Sequence, residues 1–267
     1  MRFISISVII FVFIGCATMF YNTEQYEEYD TSKIRYYYKK DSLVENDIKE
    51  ISDAVENYIK IAEVEMSTIF NLKTTAWLFD TVSDTEYAGI FKDQISEGSV
   101  ELTHGMQIIY EYPLDITALV ILHEYIHSVQ RHQYRLTVPG ICEGHATLYE
   151  EISSSVQQDN PINYRYLFSF YIQSAIRDGI APKPSELFEL TSIEFQNIDF
   201  DSLSRDPGIN YQICASFIGY LLFSYGQDAV NDWIEDCSID NWKGKFQKAF
   251  GLSINTAEND WLVFMQN

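Results

Sequence analysis

Two histidines four residues apart, with a glutamate directly after the first, stand inside the stretch LVILHEYIHSVQ at residues 119–130. On an α-helix, His123 and His127 fall on one face, close enough for both imidazoles to meet one metal ion. Glu124 sits about 100° round the helix from His123, beside such an ion and not on it. A carboxylate placed there can take a proton from a water molecule and later pass it to a leaving amine. This five-residue pattern arises by chance on the order of once in a hundred chains of this kind, so its surroundings must decide. Residues 117–122 are apolar on every side of the helix, which predicts a central, buried element. Burying two imidazoles and a carboxylate there without a partner would be costly.

A catalytic zinc ion takes three protein ligands. The metzincin continuation needs a Gly three residues after the second His and a third His three further on. Those positions hold Gln130 and Gln133, and His132 is one residue out of place. The alternative is a glutamate from the following helix. VPGICEGHATLYEE supplies Glu143, after Pro139-Gly140 breaks the chain and allows a new helix to return antiparallel.

With these residues the chain resembles the gluzincins, the zinc peptidases that include thermolysin and the large aminopeptidase family. More narrowly, it is similar to the compact bacterial peptidase MA-like branch. The signature there is HExxH, a loop, then a helix beginning Glu-Gly-x-Ala, matched here by Glu143-Gly144-His145-Ala146. The resemblance spans roughly residues 34–267, ending in YQICASFIGYLLFSYGQDAV and FQKAFGLSINTAENDWLVFM. It implies one Zn2+ held by His123, His127 and Glu143, with Glu124 as the general base that activates a zinc-bound water. It also implies that Tyr211, opening a helix over 211–225, donates a hydrogen bond to the oxyanion, and that MQIIYEY (106–112) pairs with a substrate backbone. The alternatives are a tyrosine that packs at a helix start and an ordinary sheet strand. The aminopeptidase Gly-x-Met-Glu-Asn motif has only the fragment Gly105-Met106-Gln107 here, so endopeptidase action is favoured over aminopeptidase action.

Other candidate residues carry blander readings. His145, two residues beyond Glu143, points to another side of its helix and reads as a packing residue or a neighbour of the ligands. His104 and His132 read as surface or loop residues. One of Glu150 and Glu151 can orient a ligand imidazole, although a solvated helix face is the plainer expectation. Cys142 reads as a small buried residue, and Cys214 and Cys237 could meet across a helical hairpin in an oxidising compartment.

The elements that must position these groups follow from periodicity and punctuation. IRYYYKK (34–40) and TTAWLFDT (74–81) predict strands, as do SVELT and MQIIYEY within 99–112. Residues 42–70 predict a long amphipathic helix capped by Asp41 or Ser42, and 83–91 a short one. After Pro139-Gly140, helices are expected near 141–156, 162–178, 184–190, 210–225, 227–237, 241–249 and 255–265. The expected fold is α+β: a zincin-like lobe over 33–140 with a small mixed sheet, then an all-α lobe over 141–267, with the active site in the cleft between them.

At the N-terminus, Arg2 precedes an apolar run from Phe3 to Gly15, the size of a signal-peptide core and short for a membrane span. It ends Phe13-Ile14-Gly15-Cys16, which resembles a bacterial lipobox, with 1–15 as the signal peptide and Cys16 as the lipidated residue. Residues 16–32, acidic and tyrosine-rich, read as a flexible tether. The expected location is the bacterial cell envelope, anchored by lipid alone and facing the periplasm or the exterior. A formal charge of −21 leaves no basic footprint for nucleic acid or anionic membrane. The expected partner is a peptide or protein substrate. The competing reading keeps zinc and the anchor but drops catalysis, leaving a surface lipoprotein that binds a peptide or protein in its cleft. Glu124 stands against that, since a binding protein has no need of the base.

Overall fold

The structure, a computed structural model, describes residues 26–81, 99–102, 105–110, 113–165, 167, 170–179, 181–196 and 209–266. Cys16 with the expected signal peptide, the helix expected over 83–91 and His104 lie outside the described residues. The fold is α+β. Strands β1 (Tyr26–Asp30), β2 (Ile34–Lys39), β3 (Thr74–Phe79), β4 (Ser99–Leu102) and β5 (Gly105–Ile109) form one sheet. The helices are α1 (Leu43–Glu65), α2 (Leu114–Val129), α3 (Pro139–Gln157), α4 (Phe170–Arg177), α5 (Pro184–Phe188), α6 (Ser192–Gln196), α7 (Ile209–Tyr225), α8 (Gln227–Ile234), α9 (Trp242–Phe250) and α10 (Ile254–Gln266). Contacts divide the chain into two units: residues up to 52 with 73–117, and residues 53–72 with 118–267. No described helix is long and apolar enough to cross a membrane.

The first unit is the sheet, in the order β1-β2-β3-β5-β4. The central pairs β2–β3 and β3–β5 run parallel, while β1 and β4 close the edges antiparallel. Alternation along β2 puts Ile34, Tyr36 and Tyr38 inside and leaves Arg35 and Lys39 outside. In β3 the residues of both faces, Ala76 and Leu78 and also Trp77 and Phe79, are buried, as a central parallel strand requires. Asp80 at the end of β3 accepts hydrogen bonds from the backbone N–H groups of Leu43 and Val44, and Ser42 Oγ accepts from Glu45 N–H. The first turn of α1 is therefore capped by Ser42 and by a carboxylate 37 residues away, not by Asp41, which adopts φ 60°.

The tether expected over 16–32 does not include residues 26–30. Residues 26–30 are strand β1, paired residue for residue with β2 from Tyr26–Lys39 to Asp30–Arg35, and not part of a tether. Their acidity suggested a solvated linker, but Tyr26 packs edge-on against Trp77 and Phe79, with ring centroids 5.3 and 6.3 Å apart. Aromatic burial on the sheet outweighs the low hydrophobicity of the stretch.

The second unit is helical. Its core is aromatic: Phe188, Phe217, Trp233, Trp242, Phe246 and Trp261 are almost completely buried and contact one another at ring centroid distances between 5.4 and 6.3 Å. Helices α3 and α7 make its closest packing. An added Cβ on Gly144 would lie 2.5 Å from Cys214 Cβ and 2.7 Å from the Cys214 carbonyl carbon, so only glycine permits that approach. Cys142, Cys214 and Cys237 are free thiols, and the disulfide considered between Cys214 and Cys237 is not formed. Cys214 is spent on the contact with Gly144, and the backbone carbonyl of Cys237 accepts from Thr137 N–H.

Candidate metal centre

Helix α2 carries His123, Glu124 and His127, and its buried residues explain why it lies deep: Ala118, Ile121, Leu122, Tyr125, Ile126 and Val129 are 0% exposed. Tyr125 ties it to the chain before β3, donating from its hydroxyl to the Leu72 carbonyl at 2.9 Å. At Val129 the α-helix gives way to one π-helical turn, Gln130–Tyr134, closed by Arg135 in the left-handed conformation (φ 54°). The link that follows is pinned from outside: Thr137 N–H donates to the Cys237 carbonyl, Asp236 N–H donates to Tyr134, and Arg135 pairs with Asp236 at 2.6 Å. Pro139 then opens α3 at its first position, which needs no N–H. Glu143 is thereby delivered opposite the two histidines.

His123 Nε2, His127 Nε2 and Glu143 Oε2 form a small triangle. The two nitrogens lie 3.1 Å apart, and the carboxylate oxygen lies 3.3 Å from His123 and 3.1 Å from His127. Donors 2.0–2.1 Å from one tetrahedral ion would stand about 3.3 Å apart, so the spacing fits zinc. Their other ring atoms agree. His123 Nδ1 faces Glu150 Oε2 at 3.2 Å, and His127 Nδ1 faces Gln130 Oε1 at 2.9 Å. Both partners accept, so each Nδ1 carries a proton, and each imidazole in its neutral form turns an Nε2 lone pair toward the shared point. Two such nitrogens and a carboxylate oxygen converge on one point that a cation satisfies, a metal ion or, without one, a proton on Nε2.

The electrostatics point the same way. Burial by itself would lower the pKa of His123, but Glu143 and Glu150 outweigh it and hold it well above the ordinary imidazole value. Burial is likewise opposed at His127, where Glu143 raises the pKa. Burial would raise Glu143, yet the two imidazoles hold it far below the usual carboxylate range. The site is thus a concentration of negative potential around two imidazoles, a setting that favours a cation.

Glu124 is 8% exposed, and its charge acts on both His127 and Tyr211. Tyr211, in the first turn of α7, packs edge-on against Phe195 at 5.2 Å. Burial pushes its phenol upward, and the carboxylates of Glu143 and Glu124 push it further, so it stays protonated and able to donate. The residues singled out by sequence, His123, His127, Glu143, Glu124 and Tyr211, therefore lie in one unit and within electrostatic reach of one another. His132 is exposed and takes no part. Glu150 is engaged by His123 rather than standing on a solvated face.

Sequence reasoning missed Gln130 as a partner of the site. It was visible only as a failed metzincin position, although three residues beyond a ligand on a helix is the neighbouring-face spacing. His145 is fully buried, with Nδ1 3.2 Å from Gln130 Nε2, and burial lowers its pKa to about 3.

No family model and no curated protein matches this chain. Among solved structures it is similar to an M1 zinc metallopeptidase from Deinococcus radiodurans, with 12% identity and a TM-score of 0.43 over 88% of this chain and 50% of that one. The chain therefore spans about half the length of the protein it matches. A likeness at that level carries no functional weight; the three convergent donor atoms do.

Proposed function

We propose that this chain is a zinc-dependent peptidase of the gluzincin kind, tethered to the cell envelope through a lipidated Cys16. The observation that carries the proposal is the triangle of His123 Nε2, His127 Nε2 and Glu143 Oε2, at mutual distances of 3.1, 3.1 and 3.3 Å, with both Nδ1 protons committed elsewhere. A zinc ion would be held by these three atoms and would supply Lewis acidity for a peptide carbonyl and for a water molecule near neutral pH. Glu124, beside the ligands and not among them, takes the proton of the attacking water and returns it to the leaving amine. Tyr211, kept protonated by its surroundings, donates to the oxygen on which negative charge develops. The short Gly105-Met106-Gln107 fragment supports cleavage within a chain in preference to removal of N-terminal residues.

The test is cleavage of a broad peptide library by the purified protein, with and without a chelator, alongside metal analysis. Wild type should contain near-stoichiometric zinc and lose cleavage with chelator. Glu124→Gln should keep zinc and lose turnover by at least about 10²-fold. Tyr211→Phe should also keep zinc, with turnover lower by about 10²–10³-fold. A wild-type protein without zinc, or a Glu124→Gln protein that cleaves normally, sinks the proposal. Unchanged turnover in Tyr211→Phe removes that residue from it.

A further inference from the structure

Gln130 stands where α2 turns into the π-helical turn, three residues beyond His127, and is 1% exposed. Its side-chain amide makes three contacts: Oε1 lies 2.9 Å from His127 Nδ1, and Nε2 lies 2.9 Å from the Cys142 carbonyl and 3.2 Å from His145 Nδ1. A backbone carbonyl can only accept, so the NH2 end of the amide must face Cys142 and the oxygen must face His127. His127 consequently donates from Nδ1, and in the neutral ring its Nε2 is free to bind a metal on the side where His123 Nε2 and Glu143 Oε2 wait. Cys142 is the residue before Glu143, so the same amide holds a ligand imidazole with one hand and the backbone of the third ligand with the other. The main chain of Gln130 contributes as well, its carbonyl accepting from Arg135 and Leu136 N–H where the link between α2 and α3 begins.

His145 completes the arrangement at a cost to itself. It is 0% exposed, and its Nε2 has no hydrogen-bond partner among the described residues. Its ring meets the edge of Tyr149 at 5.0 Å. A buried imidazole with one unpaired N–H is an unfavourable feature, and what it provides in exchange is an acceptor for the second amide proton of Gln130.

We propose that Gln130 is a positioning residue for the metal, holding His127 in the Nδ1–H form and coupling it to the backbone beside Glu143. This rests on the zinc reading of the site. The measurement is the zinc dissociation constant, obtained by competition with a chromophoric chelator, for wild type, Gln130→Met, Gln130→Glu and the control Gln227→Met. Gln227 is an amide in the same unit that accepts from Tyr149 and donates to Asn231 without touching a ligand. Gln130→Met keeps the volume but cannot accept, and should weaken zinc binding about 10–100-fold. Gln130→Glu can accept again from His127 but cannot donate to the Cys142 carbonyl, so it should recover only part of that loss, while the control should bind as wild type does. Zinc held as tightly by Gln130→Met as by wild type overturns the proposal, and so does a glutamate that binds no better than the methionine. If Gln130→Met fails to fold, long-range 1H–15N spectra of the zinc-loaded wild type decide: a protected proton on His127 Nδ1 is required, and its absence overturns the proposal. A wild type that takes up no zinc at all takes down the metal reading itself, which distinguishes that failure from this one.

Discussion

The two ligand imidazoles are held in contrasting ways. His123 leans on Glu150, a carboxylate whose side chain is 31% exposed, whereas His127 leans on Gln130, a neutral amide with 1% exposure that is itself braced by Cys142 and His145. A carboxylate behind an imidazole raises its basicity and couples it to solvent and pH. An amide fixed by a carbonyl and a buried imidazole does neither, and gives geometry instead. The centre therefore has an outer half, tuned by charge, and an inner half, held by packing and neutral hydrogen bonds.

The sharpest way to break the inner half is to part the helices behind it. Gly144→Ala would drive a methyl group into the Cys214 side chain and backbone, and should destabilise the fold by about 3 kcal/mol. Chemical denaturation of the metal-free protein measures it. A loss well under about 1 kcal/mol would mean that α3 and α7 can separate easily, against the close approach at Gly144.

A smaller effect makes the outer half resemble the inner. Glu150→Gln keeps an acceptor for His123 Nδ1–H but removes the charge, and should weaken zinc binding about tenfold, near the low end for such partners because this one is partly hydrated. Chelator competition reads it. An unchanged dissociation constant would show that the charge of Glu150 is irrelevant and that the contrast between the halves is one of geometry alone.

The smallest effect concerns pH. Burial, and then the neighbouring charge of Glu150, raise Glu151 from the ordinary carboxyl value of 4.5 to about 7. The sign follows from proton counting: between these values the folded protein binds more protons than the unfolded chain, so this group's contribution to stability falls as pH rises from 4.5 through 7. Glu151→Gln removes that cost. It should raise stability by about 1 kcal/mol above pH 8, discounted because the side chain is partly solvated, and by nothing below pH 4. Melting curves at both pH values check it, and an equal gain at both would remove titration as the cause.

Much of this centre was legible in the sequence, and the reasons are local. His123, Glu124 and His127 are spaced by the helix repeat itself, and the apolar run before them signals a buried helix. Pro139-Gly140 marks the break, and Glu143-Gly144-x-Ala146 sets a ligand beside a glycine whose missing side chain admits Cys214. The strands at 34–39 and 74–79 announced themselves through β-branched and aromatic residues. Strand β1 did not, because its composition is that of a solvated linker and its aromatic partners lie about 50 residues away in β3.

What the sequence determined by itself is the set of donor atoms: which residues can bind a metal, which carboxylate stands beside it, and where the chain turns to bring in the third. What only the tertiary structure decided is how those donors are oriented. Gln130 reaches Cys142 and His145, Glu150 reaches His123 across 27 residues, and the link 135–138 is pinned by residues 236 and 237. Helix periodicity acts within a few residues, and so can be read along the chain. The proton on a ring nitrogen is set by whichever group folding brings to its far side, and that group has no fixed place in the sequence.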